Sequence, residues 1–127
     1  MDTHRRSFLP WLFLLLLGLA LGAAAEPRVI ELTLGDYRFM PHKLDLVAGE
    51  TVQLRLTNSD TLTPHNLSLS GAGMELDIDV PAGQTVQVEI TPQEPGRYTF
   101  FCGKKLPFMK NHRERGMEGE LIVRPAP

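Results

Sequence analysis

The sequence contains only one cysteine, Cys102, so no disulfide can form within the chain. Outside the cytoplasm, a lone thiol is buried and inert, paired between chains, reactive, or bound to a metal. Basic residues show no excess, because 13 lysines and arginines stand against 15 aspartates and glutamates. This balance excludes the strongly basic domain that is typical of nucleic-acid binders. Only four histidines are present, too few for a catalytic centre built from several histidine-bound metals.

An apolar run at residues 11–21 follows a short segment with two adjacent arginines and ends at the small residues 22–25. This order of positive, apolar and small-residue segments is typical of a secretory signal peptide, with cleavage after Ala25. An uncleaved membrane anchor would need ~20 apolar residues, more than this run supplies. We therefore predict a cleaved signal peptide at residues 1–25 and a single mature domain at residues 26–127.

Export would place the mature domain in the periplasm or otherwise outside the cytoplasm. The pair Arg5-Arg6 also resembles the twin-arginine signal, which exports proteins that are already folded. Because the apolar run is more hydrophobic than that route favours, we expect the general secretory (Sec) route instead.

Apolar and polar residues alternate with a period of two through most of the mature domain. The clearest runs are residues 29–34, 52–57 and 86–91. Shorter candidate strands lie at residues 43–47, 66–69, 75–80, 98–102 and 120–123. Such alternation is typical of strands with one buried face and one exposed face. About eight short strands separated by turn residues predict an all-β fold, an antiparallel sandwich or barrel without helices.

Candidate metal ligands lie around the longest irregular segment, residues 103–116. Cys102 ends a predicted strand, His112 follows ten residues later, and Met117 follows five residues after that. A fourth candidate, His65, opens another strand. Two imidazoles and a thiolate with a weak axial methionine form the donor set of blue-copper electron-transfer sites. Zinc fits less well, because its structural sites use cysteine and histidine in tetrahedra and seldom include a thioether. The pattern therefore predicts one copper ion, Cu(I)/Cu(II).

Several motifs resemble those of the cupredoxin family, which includes plastocyanin, pseudoazurin and azurin. They cover essentially the whole mature region: residues 39–41 (FMP), 47–52 (VAGETV), 57–66 (TNSD to HN), 96–102 (GRYTFFC), 112–119 (HRERGMEG) and 120–123 (ELIV). The resemblance implies an eight-stranded Greek-key β-sandwich that binds copper near one end. The ligands that it implies are His65, Cys102, His112 and Met117.

The segment between the cysteine and the second histidine departs from that family. Nine residues separate Cys102 from His112, whereas familiar members have only a few. If the assignment fails, the spare donors are Met109 and His42, although we expect His42 to lie on the surface. The resemblance also implies that Asn66 braces the cysteine-bearing loop by hydrogen bonds, outside the set of ligands.

The resemblance implies a small electron-transfer carrier that is not an enzyme and meets a transient redox partner protein. In the family, the second histidine commonly lies at the surface within an apolar patch, and residues 106–109 are expected to form that patch. The loop cations predict an acidic docking face on the partner. These cations are Lys104, Lys105, Lys110, Arg113 and Arg115. The alternative is a copper-binding protein for delivery, sequestration or resistance. We expect a monomer that binds no nucleic acid and has no stable membrane association after cleavage.

Overall fold

The strands of the protein follow the alternation of apolar and polar side chains along the chain. A computed structural model describes Gly22 and residues 25–127, so most of the predicted signal peptide lies outside the described residues. The described part contains nine strands and no helix, which confirms the all-β class. The strands are β1 (Arg28–Gly35), β2 (Arg38–Met40), β3 (Lys43–Val47), β4 (Val52–Asn58), β5 (His65–Gly71), β6 (Met74–Val80), β7 (Thr85–Ile90), β8 (Gly96–Phe101) and β9 (Glu118–Arg124). Within these residues, no helix has the length and apolar character needed to cross a membrane.

Two sheets form the sandwich, in the orders β2-β1-β4-β7 and β3-β9-β8-β5-β6. The chain crosses between the sheets several times, so sequence neighbours such as β4 and β5 lie in opposite layers. Most pairs are antiparallel, as predicted, but β1 with β4 and β3 with β9 are parallel. Parallel neighbours cannot be joined by a tight turn. In both pairs the intervening chain passes through the opposite sheet, an arrangement that local alternation does not reveal.

The core lies between the two sheets and contains the apolar residues of the alternating runs. In β4, Val52, Leu54 and Leu56 are at most 1% exposed, while Arg55 between them faces solvent. Burying an aliphatic side chain of this size stabilises a fold by about 1.5–3 kcal/mol. These runs therefore hold the two sheets together and form a rigid support for the loops at either end.

The short strand β2 is the element that the sequence pattern did not predict. It pairs with β1 through a two-residue turn, Asp36-Tyr37. Both turn residues adopt left-handed backbone angles, with φ values of 49° and 55°. A turn of this kind usually contains glycine or asparagine, so this sequence carries only a weak hairpin signal.

Three strand termini meet at one end of the second sheet. β5 begins at His65, β8 ends at Phe101, and β9 begins at Glu118. Because β8 is antiparallel to both neighbours, these termini lie at the same end, and Phe101 is directly opposite Glu118. The residues next to them, Cys102 and Met117, are therefore brought to the end of the sandwich where His65 lies.

Candidate metal centre

Three of the four predicted ligands, His65, Cys102 and His112, form one cluster. The Nδ1 atoms of the two histidines are 3.2 Å apart. The Cys102 sulfur lies 3.8 Å from Nδ1 of His65 and 3.4 Å from Nδ1 of His112. All three side chains are buried, with at most 2% of their surface exposed. Among the described residues, this is the one group of histidine, cysteine or carboxylate side chains whose spacing could hold a metal ion.

The three separations fit a single ion at the centre of the triangle. Zinc forms bonds of about 2.0–2.1 Å to imidazole nitrogen and about 2.3 Å to thiolate sulfur. Three ligands spaced evenly around one ion with bonds of these lengths are about 3.5 Å apart from nitrogen to nitrogen and about 3.8 Å apart from nitrogen to sulfur. The observed distances of 3.2, 3.4 and 3.8 Å are close to these values. Two imidazoles and a thiolate in one plane are the donors that copper favours. The residues present therefore fit copper.

Asp60 holds the ring of His65 from the side opposite the cluster. Its Oδ2 atom lies 2.7 Å from Nε2 of His65, and the backbone N–H of Asp36 donates to the same carboxylate. Burial raises the pKa of Asp60, but the hydrogen bonds with His65 and Asp36 outweigh it, so the pKa lies below its usual value. An ionised carboxylate there accepts the Nε2 proton. The lone pair of His65 Nδ1 is then directed at the cluster, as in most histidine metal sites.

Asn66 of β5 connects the Cys102 sulfur to the start of the long loop and to β6. Its backbone N–H lies 3.4 Å from the sulfur, and its side-chain oxygen accepts a 2.8 Å hydrogen bond from the N–H of Gly103. Its side-chain nitrogen donates to Asp77 on β6. Burial raises the pKa of the Cys102 thiol, and the Asn66 N–H offsets this only in part. A metal that binds this sulfur must therefore displace a proton.

His112 is held by a short, ordered turn at the end of the long loop. Its N–H donates to the backbone oxygen of Lys104 at 2.8 Å, which closes the base of the loop. Asn111 and Glu114 cap the turn reciprocally, because each side chain accepts the backbone N–H of the other. The residues that lengthen this loop, 105–110, are all exposed. The extra residues thus extend outward, and His112 still reaches Cys102.

The expectation that the second histidine lies at the surface is wrong for His112, which is only 2% exposed. The ring of Tyr37 packs edge-on against it, with centroids 5.0 Å apart. Burial lowers the pKa of His112, and the nearby His65 and Arg115 lower it further, so the ring is neutral at pH 7. Neutral imidazole is the form that binds metals. The predicted apolar patch does exist, but it lies on the extended part of the loop, where Phe108 is fully exposed.

Met117 is buried at the same end of the sandwich, with none of its surface exposed. Its backbone oxygen accepts a hydrogen bond from the N–H of Cys102, and its own N–H donates to the backbone oxygen of His112. Met117 is therefore tied through its backbone to two residues of the cluster. The spare donors lie elsewhere: Met109 is 42% exposed, and His42 is an exposed residue, as predicted.

The loop cations do not form a uniform positive rim. Lys104 pairs with Asp79 of β6 at 2.7 Å. Arg113 pairs with a glutamate of β9 and lies over an aromatic ring of β8. Within the described residues, no salt bridge includes Lys105 or Lys110. Surface pairs contribute little to stability, but they reduce the local positive potential.

Two residues of this centre, Asp60 and Tyr37, were not predicted from the sequence. Asp60 carried a signal, because it lies five residues before His65 in the segment that delivers this ligand. A carboxylate near a predicted histidine ligand is a candidate partner for its second nitrogen. Tyr37 carried no such signal, since its place beside His112 depends on how the β1–β2 turn packs against the other sheet.

Comparisons with known proteins agree with this fold. The sequence model described as "Cupredoxin-like domain" matches residues 7–123, which is most of the chain. The structure of auracyanin B superposes with a TM-score of 0.63 at 22% identity, covering 80% of this chain and 93% of that one.

Two further auracyanins have the same fold. Auracyanin A from Chloroflexus aurantiacus, described as a "blue" copper protein, has a TM-score of 0.61 and 24% identity, covering 78% of this chain and 100% of that one. Auracyanin from Roseiflexus castenholzii has a TM-score of 0.62 and 21% identity, covering 80% of this chain and 100% of that one. At these identities the superpositions show a shared fold.

Proposed function

This chain is a member of the cupredoxin-like domain family, and we propose that it acts as an exported type 1 (blue) copper protein that carries single electrons. Its cofactor is copper, which supplies a one-electron couple when bound. We assign His65, Cys102, His112 and Met117 as the residues that would hold the copper, with the Met117 thioether as the weakest donor. Asn66 and Asp60 hold ligands in position from outside this set.

The observation that carries the proposal is that the three buried donors lie at metal-binding separations from one another. An electron carrier works best when its ligands move little between redox states, because rearrangement adds to the barrier. Here hydrogen bonds hold each ligand: Asp60 holds His65, Asn66 contacts the Cys102 sulfur, and the Lys104 backbone holds His112. Such outer contacts fix the orientation of metal ligands.

The extended part of the loop supports a docking role in transient encounters with a redox partner. Leu106 and Met109 are about two-fifths exposed, and Phe108 is fully exposed. Lys105 and Lys110 lie within the same segment. An apolar patch flanked by lysines suits an acidic partner surface, since opposite charges steer the encounter and a small patch releases it quickly.

A second role, copper delivery or sequestration, is favoured by the exposed thioethers of Met109 and Met40, which are 42% and 66% exposed. Soft sulfur donors at the surface can receive Cu(I) from another protein. The main site does not favour this role, because its donors are fully enclosed. We therefore rank delivery second to electron transfer.

Export remains part of the proposal. Residues 1–25 are proposed to direct the chain through the Sec route, and residues 26–127 are proposed to form the mature domain in the periplasm. The described strands begin at Arg28, so the proposed cleavage after Ala25 would leave every described strand intact. We also propose that the mature domain is a monomer and that it catalyses no reaction.

The test is to load the purified protein with Cu(II) and to record its visible spectrum and voltammogram. We expect an intense thiolate-to-copper band and reversible one-electron reduction. Cys102→Ser should abolish the band, because the serine hydroxyl cannot replace the thiolate. His42→Gln is the control, since His42 is exposed and lies outside the cluster, and it should leave the band unchanged.

Two results would contradict the proposal. If the band survived in Cys102→Ser, the ligand assignment would be wrong. If the wild-type protein stayed colourless, held only Cu(I) and released it readily to a chelator, the delivery role would replace electron transfer.

A further inference from the structure

The turn between β1 and β2 places an aromatic residue where glycine is the usual choice. Asp36 and Tyr37 have φ values of 49° and 55°, so both occupy the left-handed region. For a bulky residue such as tyrosine this conformation is unfavourable, and such strained positions cluster at functional sites. The unfavourable backbone conformation of Tyr37 indicates a role for its side chain, since glycine would form the same turn more easily.

The Tyr37 ring is half-buried and packs edge-on against the paired histidines. Its centroid is 5.0 Å from that of His112 and 6.1 Å from that of His65, and it is nearly perpendicular to both rings. The Arg115 guanidinium carbon lies 4.5 Å from the Tyr37 ring centroid. An open groove of about 630 Å³, lined in part by Tyr37 and Arg115, lies beside this ring. The neighbouring His112 is only 2% exposed.

Other contacts fix the turn against the loop that precedes His65. The Asp36 N–H donates to the Asp60 carboxylate, and the Ser59 N–H donates to the backbone oxygen of Leu34. Gly35 approaches this loop so closely that a Cβ atom there would lie 2.1 Å from the Ser59 hydroxyl. These contacts hold the backbone of the turn, and none of them includes the tyrosine side chain.

We propose that Tyr37 is the cover of the metal centre: its ring, packed under Arg115, keeps water and small ligands away from His112. It acts as a positioning residue and not as a ligand. Once the ring is removed, a small anion is expected to reach His112 through the groove beside residue 37 and not through the exposed loop patch. This inference rests on the proposed copper centre, and it also predicts a property of the metal-free protein.

The first test needs no metal and uses diethyl pyrocarbonate, which modifies accessible imidazole rings, on the purified apo protein. Tyr37→Gly removes the ring and suits the left-handed turn, so we expect the fold to be retained, as checked by circular dichroism. Peptide mass spectrometry should then show that His112 reacts several-fold faster than in the wild type, because the ring no longer shields it. His42, which is exposed, serves as the reactive internal standard, and His65, which is paired with Asp60, should stay protected.

Two matched variants separate the ring from other effects. Tyr37→Phe keeps the ring and loses only the hydroxyl, so His112 should remain protected as in the wild type. Phe108→Gly makes the same kind of change at another left-handed position, with a φ of 61°, on the exposed loop. It should also leave His112 protected.

The second test uses the Cu(II)-loaded protein and sodium azide as a small anionic probe. Azide should shift the visible spectrum of Tyr37→Gly, while the wild type, Tyr37→Phe and Phe108→Gly should show no shift. The inference is overturned if, in Tyr37→Gly with a normal copper band, both the modification rate of His112 and the spectral response to azide match those of the wild type. It is also overturned if Phe108→Gly, and not Tyr37→Gly, opens the site. If the Cu(II)-loaded wild-type protein showed no thiolate-to-copper band, the proposed function would be contradicted instead.

Discussion

Replacing Asp60 with alanine should weaken copper binding, although Asp60 is not a ligand. The Asp60 carboxylate lies 2.7 Å from Nε2 of His65, whose side chain is fully buried. The described structure contains no buried side-chain nitrogen or oxygen without a hydrogen-bond partner. Asp60→Ala would leave the Nε2 atom of His65 without its partner, and the ring would be free to turn or to change tautomer.

The size of the effect follows from these contacts. An unsatisfied buried donor costs about 1–3 kcal/mol, so the metal-free protein should lose about that much free energy of unfolding. The loss of an outer partner of a metal-bound histidine typically weakens metal affinity by about 10–100-fold. That range corresponds to about 1.4–2.8 kcal/mol of binding free energy. Both losses are expected, because the metal-free and the loaded protein each rely on this contact.

The assay is a competition titration of copper against a chelator of known affinity, with chemical denaturation of the apo protein in parallel. Asp60→Asn is the closest control, because its amide oxygen can still accept the His65 proton while the negative charge is removed. Asp79→Ala removes a carboxylate at the same end of the molecule, where Asp79 is 70% exposed and paired with Lys104. We expect both controls to bind copper within a few-fold of the wild type.

Two outcomes would refute this reasoning. If Asp60→Ala bound copper as tightly as Asp79→Ala, the carboxylate would have no part in holding His65. If Asp60→Asn weakened binding as much as Asp60→Ala, the negative charge would matter and the orientation of the ring would not.

Two further predictions concern the stability of the metal-free fold. A Cβ atom at Gly119 would lie 2.1 Å from the buried ring of Phe100, so Gly119→Ala should destabilise the fold by about 1–3 kcal/mol and lower its thermal midpoint by roughly 5–20 °C. Gly103→Ala, with its nearest contact at 3.6 Å, is the control, and equal midpoints for the two variants would contradict the steric argument. The hydrogen bond and charge of Arg124 lower the pKa of Asp45, so this pair stabilises the fold above the unfolded pKa of about 3.9 and loses the effect as pH falls. Thermal melts of wild type and Asp45→Asn should therefore differ at pH 6 and converge as the pH falls through the lowered pKa of Asp45, whereas a pH-independent difference would rule out the pair as its source.

The sequence by itself determined the features that depend on residues close together along the chain. Alternation of apolar and polar residues predicts the strands, because a strand exposes its two faces to different surroundings. Val52, Leu54 and Leu56 are buried as that rule requires. The chemistry of the donors was equally readable from the sequence, because two imidazoles, a thiolate and a thioether form the donor set of blue-copper sites.

Only the tertiary structure decided which residues surround those donors. Asp60 is five residues from His65 in sequence, but its role depends on a loop conformation that the β1–β2 turn helps to hold. Tyr37 is 75 residues from His112, and their rings meet because the two sheets pack face to face. Local sequence patterns predict the secondary structure of a segment, whereas contacts between the two sheets depend on the path of the whole chain. The burial of His112 was therefore beyond any local pattern in the sequence.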